Sequence, residues 1–306
     1  MASSIVLGMT TEQVAVLTSQ QIISLGVTDY AAFTTTQLAA LTTEQLQYVE
    51  TRDFAALTTA QVAALGTDNV KALTSTQLAA FTNAQLGALT TAEASNLSST
   101  QLNALNIGQI GALSTTVVAA LGTDQVKALS VDQFKALGTA AVAALTTAQA
   151  AVVTTAQLAA LSKTQVGAMT TAQVAALSST QVKALSLTSL SSLTTGQLQA
   201  ISTAAVNVLD AKQVGALTTT QVAALGTSQV NALSSTAVQA LSGAQVGALT
   251  TAQVQALSTT AVAALSSAQV ATLSSAEVAL LSTAQIKALD TTQVKGLAAS
   301  GISAFN

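Results

Sequence analysis

Leu57-Thr58-Thr59-Ala60-Gln61-Val62-Ala63-Ala64 is the stretch from which the rest of this chain follows. It recurs with variations from Met9 to Ala304, 37 octads in one frame without insertion or deletion. The frame reads apolar, cap-type polar, Thr/Ser, variable, Gln, Val/Leu, variable, Ala. Position two is Thr, Ser, Gly, Asp or Asn in 35 of the 37 octads, Glu50 and Ala298 being the exceptions. Those five residues are the good helix N-caps, able to satisfy the orphan N–H groups of a helix start. Position five is Gln in 25 octads and Glu in two, Glu93 and Glu277. Thr/Ser-x-x-Gln/Glu is a capping box, in which two side chains each accept a hydrogen bond from the other residue's backbone N–H. Positions one and six are apolar throughout and fall where a hydrophobic staple brackets a helix start.

Where Thr or Ser is missing from position two, the substitutes are Gly26, Gly66, Gly122, Gly138, Gly226, Asp210, Asp290 and Asn106. A composition bias alone would not select that set. Glycine there also argues against one unbroken helix, since it would cost about 1 kcal/mol per site relative to Ala. Periodicity gives the same answer: eight residues advance an ideal helix by about 800°, so the apolar stripe would drift by about 80° per octad and face no fixed partner. A β-solenoid is the alternative, because Thr and Val favour strands. Against it stand the Ala-Ala-Leu endings, which favour helix, and the lack of period-two alternation. The expected fold is therefore all-α: an α-solenoid of very short capped helices, one per octad.

Each helix has room for about five to seven residues before the next cap. Helices that short are unstable alone, so they must be held by their neighbours. Positions one and six supply a Leu/Val core. Position eight, mostly Ala, lets segments approach closely. Positions four and seven carry nearly all the Lys and many acids, so they face solvent, where Asp68–Lys71, Asp124–Lys127 and Asp132–Lys135 could pair. The pattern does not specify how many octads make one superhelical turn.

Taken in order, residues 1–306 read as a single repeat array. Residues 1–8 form an N-terminal cap, in frame but without the box. They have no basic stretch and no long apolar core, so they are not a secretory signal. Regular octads occupy 9–296, the least regular lying within 9–56. That early stretch holds Tyr30, Phe33, Tyr48 and Phe54 at core positions, and Arg52 between Glu50 and Asp53. Residues 297–306 lose the box and form a C-terminal cap ending on Phe305. Tyr30, Phe33, Tyr48, Arg52, Phe54 and Phe305 are the candidate end-capping or subunit-contact residues.

Composition narrows the function. The chain has no Cys, His, Pro or Trp, only 7% charged residues, and a net charge of −3. Thiolate chemistry, disulfides and zinc–thiolate sites are excluded, and the commonest general base is absent. The abundant Ser and Thr are caps with no base to activate them. The acids are scattered and the 16 Gly dispersed, so neither a carboxylate dyad nor a phosphate loop is visible. No catalytic residue, cofactor site or metal site is expected. Nine scattered basic residues and a pI near 4.7 argue against nucleic acid. No apolar run is long enough to span a membrane.

The Leu-Thr-Thr-Ala-Gln-Val-Ala-Ala octads resemble the low-complexity repeats of very large secreted surface and adhesin-like proteins of Gram-negative bacteria. The likeness covers nearly the whole chain but carries over no functional residue. It implies an extracellular or cell-surface structural or adhesive role; with residues 1–8 unlike a secretory signal, export would take a signal-less route such as type I secretion or follow removal of a signal. This chain departs from such proteins in its length and in lacking calcium-binding repeats. Soluble monomers usually keep more surface charge, and solenoid ends are edges unless capped. The leading expectation is a non-enzymatic subunit that self-assembles into an extracellular filament or sheath. A monomeric adhesin stalk or binding scaffold is the alternative, with ice binding through Thr arrays a third.

Overall fold

A computed structural model describes residues 5–297. Among them are 36 α-helices in tandem, from α1 (Thr11–Ala15) to α36 (Thr291–Gly296), each of four to six residues, and no strand. Among the described residues one helix stands in each octad from Met9 to Gly296, as the caps predict, and the β-solenoid alternative is set aside.

The local rule is visible at Thr74. Its backbone is extended (φ −66°, ψ 156°), and its hydroxyl accepts the N–H of Gln77 at 3.2 Å. The Oε1 of Gln77 accepts the N–H of Thr74 in return, at 2.9 Å. The helix closes when the N–H of Phe81 donates to the carbonyl of Leu78 at 3.1 Å, and Thr82 begins the next cap. Glycine at position two has no hydroxyl to offer, and at Gly226 only the return half forms: its N–H donates to Gln229 Oε1 at 2.8 Å. The box thus restarts a helix every eight residues and stops the previous one from extending.

Positions one and six fill the interior. Val62, Leu65, Val70, Leu73, Leu78 and Phe81 are all buried. Burying each such side chain is worth about 1.5–3 kcal/mol, which is what allows helices too short to persist alone. Within each of the chain's two compact units, helices lie side-on against the helix three octads further along, as α9 (Ser75–Ala79) against α12 (Ser99–Ala104) and α20 (Lys163–Ala168) against α23 (Leu187–Ser192). Small residues make that approach possible. A Cβ on Gly111 would sit 3.0 Å from the carbonyl oxygen of Ala136, and one on Gly215 would sit 3.3 Å from that of Ala240.

The chain divides into two compact units, Met1–Val153 and Thr154–Asn306, and the octad frame runs through the junction unbroken. The same stacking rule operates inside each. In the first, the side-chain amide of Gln77 reaches the carbonyls of Leu46 and Val49; in the second, that of Gln221 reaches Leu190 and Leu193. These partners lie 31 and 28 residues back. A return of 28 residues, at eight per octad, sets one turn at about three and a half octads.

Candidate functional site: the glutamine ladder and its exceptions

Position five is the functional centre of the repeat. Gln85 shows both of its roles. Its Oε1 accepts the N–H of Thr82 at 2.7 Å, capping its own helix start. Its Nε2 donates to the carbonyls of Phe54 at 2.8 Å and Leu57 at 2.6 Å, capping the end of a helix one coil earlier. A helix leaves unsatisfied N–H groups at one end and unsatisfied carbonyls at the other, and buried backbone groups must find partners. One amide serves both ends because it carries an acceptor and two donors. Gln85 is accordingly buried. The cap is legible in the octad alone, whereas the second bond, to a coil 28–31 residues back, is not. The signal was present: a capping box accepts Glu as readily as Gln, yet this slot holds Gln in 25 octads and Glu in two.

The exceptions follow the same chemistry. Asn69 is shorter by a methylene. Its Nδ2 still donates to the Leu41 carbonyl, 28 residues back, at 3.0 Å. It makes no return bond, so the N–H of Gly66 is left for another partner. That partner is Glu93, whose Oε1 accepts it at 3.1 Å across the coils. A carboxylate cannot donate to a carbonyl, and the peptide before Gly66 is turned so that N–H faces it instead. Gly66 has φ +82°, the one positive φ among the described residues. The other oxygen of Glu93 still accepts the Thr90 N–H at 2.8 Å. Ser189 keeps a local role only, accepting the hydroxyl of Ser186 at 2.8 Å.

Asp53 is the most perturbed slot. Its carboxyl is buried, and Oδ1 has no hydrogen-bond partner. The Arg52 Nε lies 3.8 Å away and closes instead on Glu50, at 2.8 Å. Burial pushes the Asp53 pKa up, Arg52 pulls it down, and Glu50 raises it further. The carbonyl of Ile22, 31 residues before Asp53, takes its hydrogen bond from the Tyr30 hydroxyl at 3.2 Å. Tyrosine thus supplies the donor that an aspartate cannot. Its own pKa is raised, by burial first and then by the carboxylates of Asp53, Asp29 and Glu50.

Of the candidate contact residues, Tyr30, Phe33 and Phe54 are buried. Tyr30 meets Phe33 edge-on, with ring centroids 5.8 Å apart, and Phe54 meets Phe81 at 5.7 Å. Tyr48, expected in the core, is exposed, because position eight lies at the rim of the coil. It borders an open groove with Val16, Thr18 and Glu44. Arg52 is also exposed. Phe305 lies outside the described residues. The ion pairs expected along single helices do not close at Asp68–Lys71 or Asp124–Lys127. Lys183 pairs instead across coils, with Asp210 at 2.9 Å.

Among the described residues there is no group of three or more acidic, His or Cys side chains placed to hold a metal ion. No helix among them is long and apolar enough to cross a membrane. No curated protein matches the chain. A family model described as the ALTTAQ repeat matches it seven times, at residues 49–83, 79–115, 107–139, 154–187, 190–227, 222–259 and 251–283. These segments cover well over half of the sequence. The chain belongs to the ALTTAQ repeat family.

Proposed function

We propose that this chain is a non-enzymatic structural protein, a repeat solenoid that self-associates into an extracellular filament or sheath. The observation that carries the reading is the division of labour within the octad. The polar residue able to do most, Gln, is buried and spent on backbone carbonyls. The outside is left to Thr, Ser and Ala, with only 7% of the chain charged. A weakly charged, repetitive surface opposes association poorly. Sedimentation velocity over a hundredfold concentration range, with negative-stain microscopy, tests this. Concentration-dependent, extended assemblies are expected; a monomer at every concentration would sink the proposal.

The open groove between Val16, Glu44 and Tyr48 favours a second reading, a monomeric stalk or scaffold presenting a binding face. It predicts an unassembled chain that retains a partner in pull-downs, and loses it on Tyr48→Ala. Ice binding through a threonine face finds less support. Position-three side chains are partly engaged between coils, as where the Thr171 methyl lies 3.7 Å from the place a Cβ on Gly196 would take. Thermal hysteresis would detect such an activity.

A further inference from the structure

Position three of the octad is never buried among the described residues, and Ser or Thr holds it in most octads. A large apolar residue stands there only at Val27, Ile107, Val131 and Leu187, and all four are exposed. Two of them are neighbours. Ile107 opens α13 (Ile107–Gly111) and Val131 opens α16 (Val131–Ala136), three octads on, and these two helices lie against each other. Two apolar side chains thus stand at the same register on adjacent coils of one unit, 60% and 39% exposed. The local fold does not require them, since Thr at position three begins most of the other helices.

Around this pair the surface has both relief and charge. Positions four and seven of the Ile107 octad are Gly108 and Gly111, so Ile107 stands as a ridge with no side chain beside it on the solvent face of its own helix. A groove of about 340 Å³ runs alongside, lined by Ile107, Asp132, Lys135 and Ala136. Asp132 and Lys135, about one turn apart on α16, bring opposite charges to a chain of which only 7% is charged. Adjoining exposed apolar side chains rimmed by polar groups mark an interaction surface.

We infer that a second copy of this chain occupies the patch, in an isologous pair. Ile107 of each copy enters the groove of the other, and Asp132 of each pairs with Lys135 of the other. A twofold axis lays a surface against itself, so that residue i meets j and j meets i. Ridge and groove, acid and base, are all present on this one patch, and its own copy is the partner that matches each of them. The apolar centre is small, so the pair belongs to the weak, transient class. The inference rests on the self-association proposed above and gives it a contact. That contact pairs chains and leaves extension to other surfaces.

Sedimentation velocity on the full chain tests it. Ile107→Thr together with Val131→Thr restores the repeat's own residue at position three. The helical circular dichroism and its melting curve should stay as in wild type, while pairing weakens by about tenfold or more. Asp132→Lys alone and Lys135→Asp alone should each weaken pairing several-fold by setting like charges together. An equimolar mixture of these two variants should recover it, because each mixed pair again sets acid against base at both contacts. If the threonine variant pairs like wild type, or the mixture pairs no better than either variant alone, the patch is overturned and self-association through another surface stands. If wild type stays monomeric at every concentration, the patch and the self-association fall together.

Discussion

Glu93 and Gly66 are coupled across adjacent coils: the carboxylate accepts the glycine N–H at 3.1 Å, and the glycine holds φ +82° to offer it. Everywhere else that the position-five residue reaches the coil below, an amide donates to a carbonyl. The pair shows that the stacking interface reads donor and acceptor rather than side-chain size. A left-handed φ costs a residue with a Cβ about 1–2 kcal/mol. Gly66→Ala is therefore expected to destabilise by about that amount. With Glu93→Gln in the same chain, the peptide can turn back so that the Leu65 carbonyl meets an amide, and the alanine should be tolerated. A double-mutant cycle from urea denaturation measures this; additive effects would show that the two sites are not coupled.

Gln221→Glu isolates the donor role. The acceptor that caps Thr218 at 2.8 Å survives, while the bonds to Leu190 and Leu193 at 3.1 and 2.8 Å are lost and a buried carboxylate faces both carbonyls. A loss of about 3 kcal/mol is expected, against little change for Gln13→Glu at the exposed first coil. The reverse exchange, Glu277→Gln, gives an amide within the reach of the Val246 and Leu249 carbonyls, and should stabilise by about 1 kcal/mol. Shifts in urea midpoint report all three.

Asp53 should make stability depend on pH. Burial raises its folded pKa above the unfolded value of about 3.9. For an acid shifted upward, the favourable contribution is present below the unfolded pKa and is lost as pH rises through the folded pKa. Asp53→Asn should remove that loss. It also supplies an amide that can donate to the Leu25 carbonyl, 28 residues back, as Asn69 does to Leu41. The variant is expected to be about 1–2 kcal/mol more stable than wild type at neutral pH, the gap narrowing toward pH 4. Melting curves across pH 4–8 check it.

Tyr30→Phe removes the donor to the Ile22 carbonyl while leaving the ring against Phe33. About 1 kcal/mol of stability should be lost. In an Asp53→Gln background a new amide can reach Ile22, 31 residues back, and the same substitution should cost less. Denaturation of the four chains of that cycle decides it.

The local half of this architecture is legible from residues alone. Thr74, Gln77 and Leu78 announce a cap, a box and a core position without reference to the rest of the chain, because a helix start is satisfied within four residues. At the cap position Gly66 is one more permissive glycine like Gly226; the shorter Asn69 in its box slot leaves its N–H without a return bond but does not say where that N–H goes. Only Glu93, a coil away, explains its φ. Tyr48 was misplaced for a related reason: position eight falls at the rim, and whether a rim residue is covered depends on the neighbouring coil.

By itself, the sequence determined that a helix begins every eight residues and ends before the next cap. The number of octads per turn was decided only by the tertiary structure. Local rules repeat with the octad and are indifferent to which earlier octad lies beneath. The closure at three and a half octads comes from bonds such as those of Gln85 to Phe54 and Leu57, 31 and 28 residues back. There the buried carbonyls of one coil meet the only amide long enough to reach them while still capping its own helix.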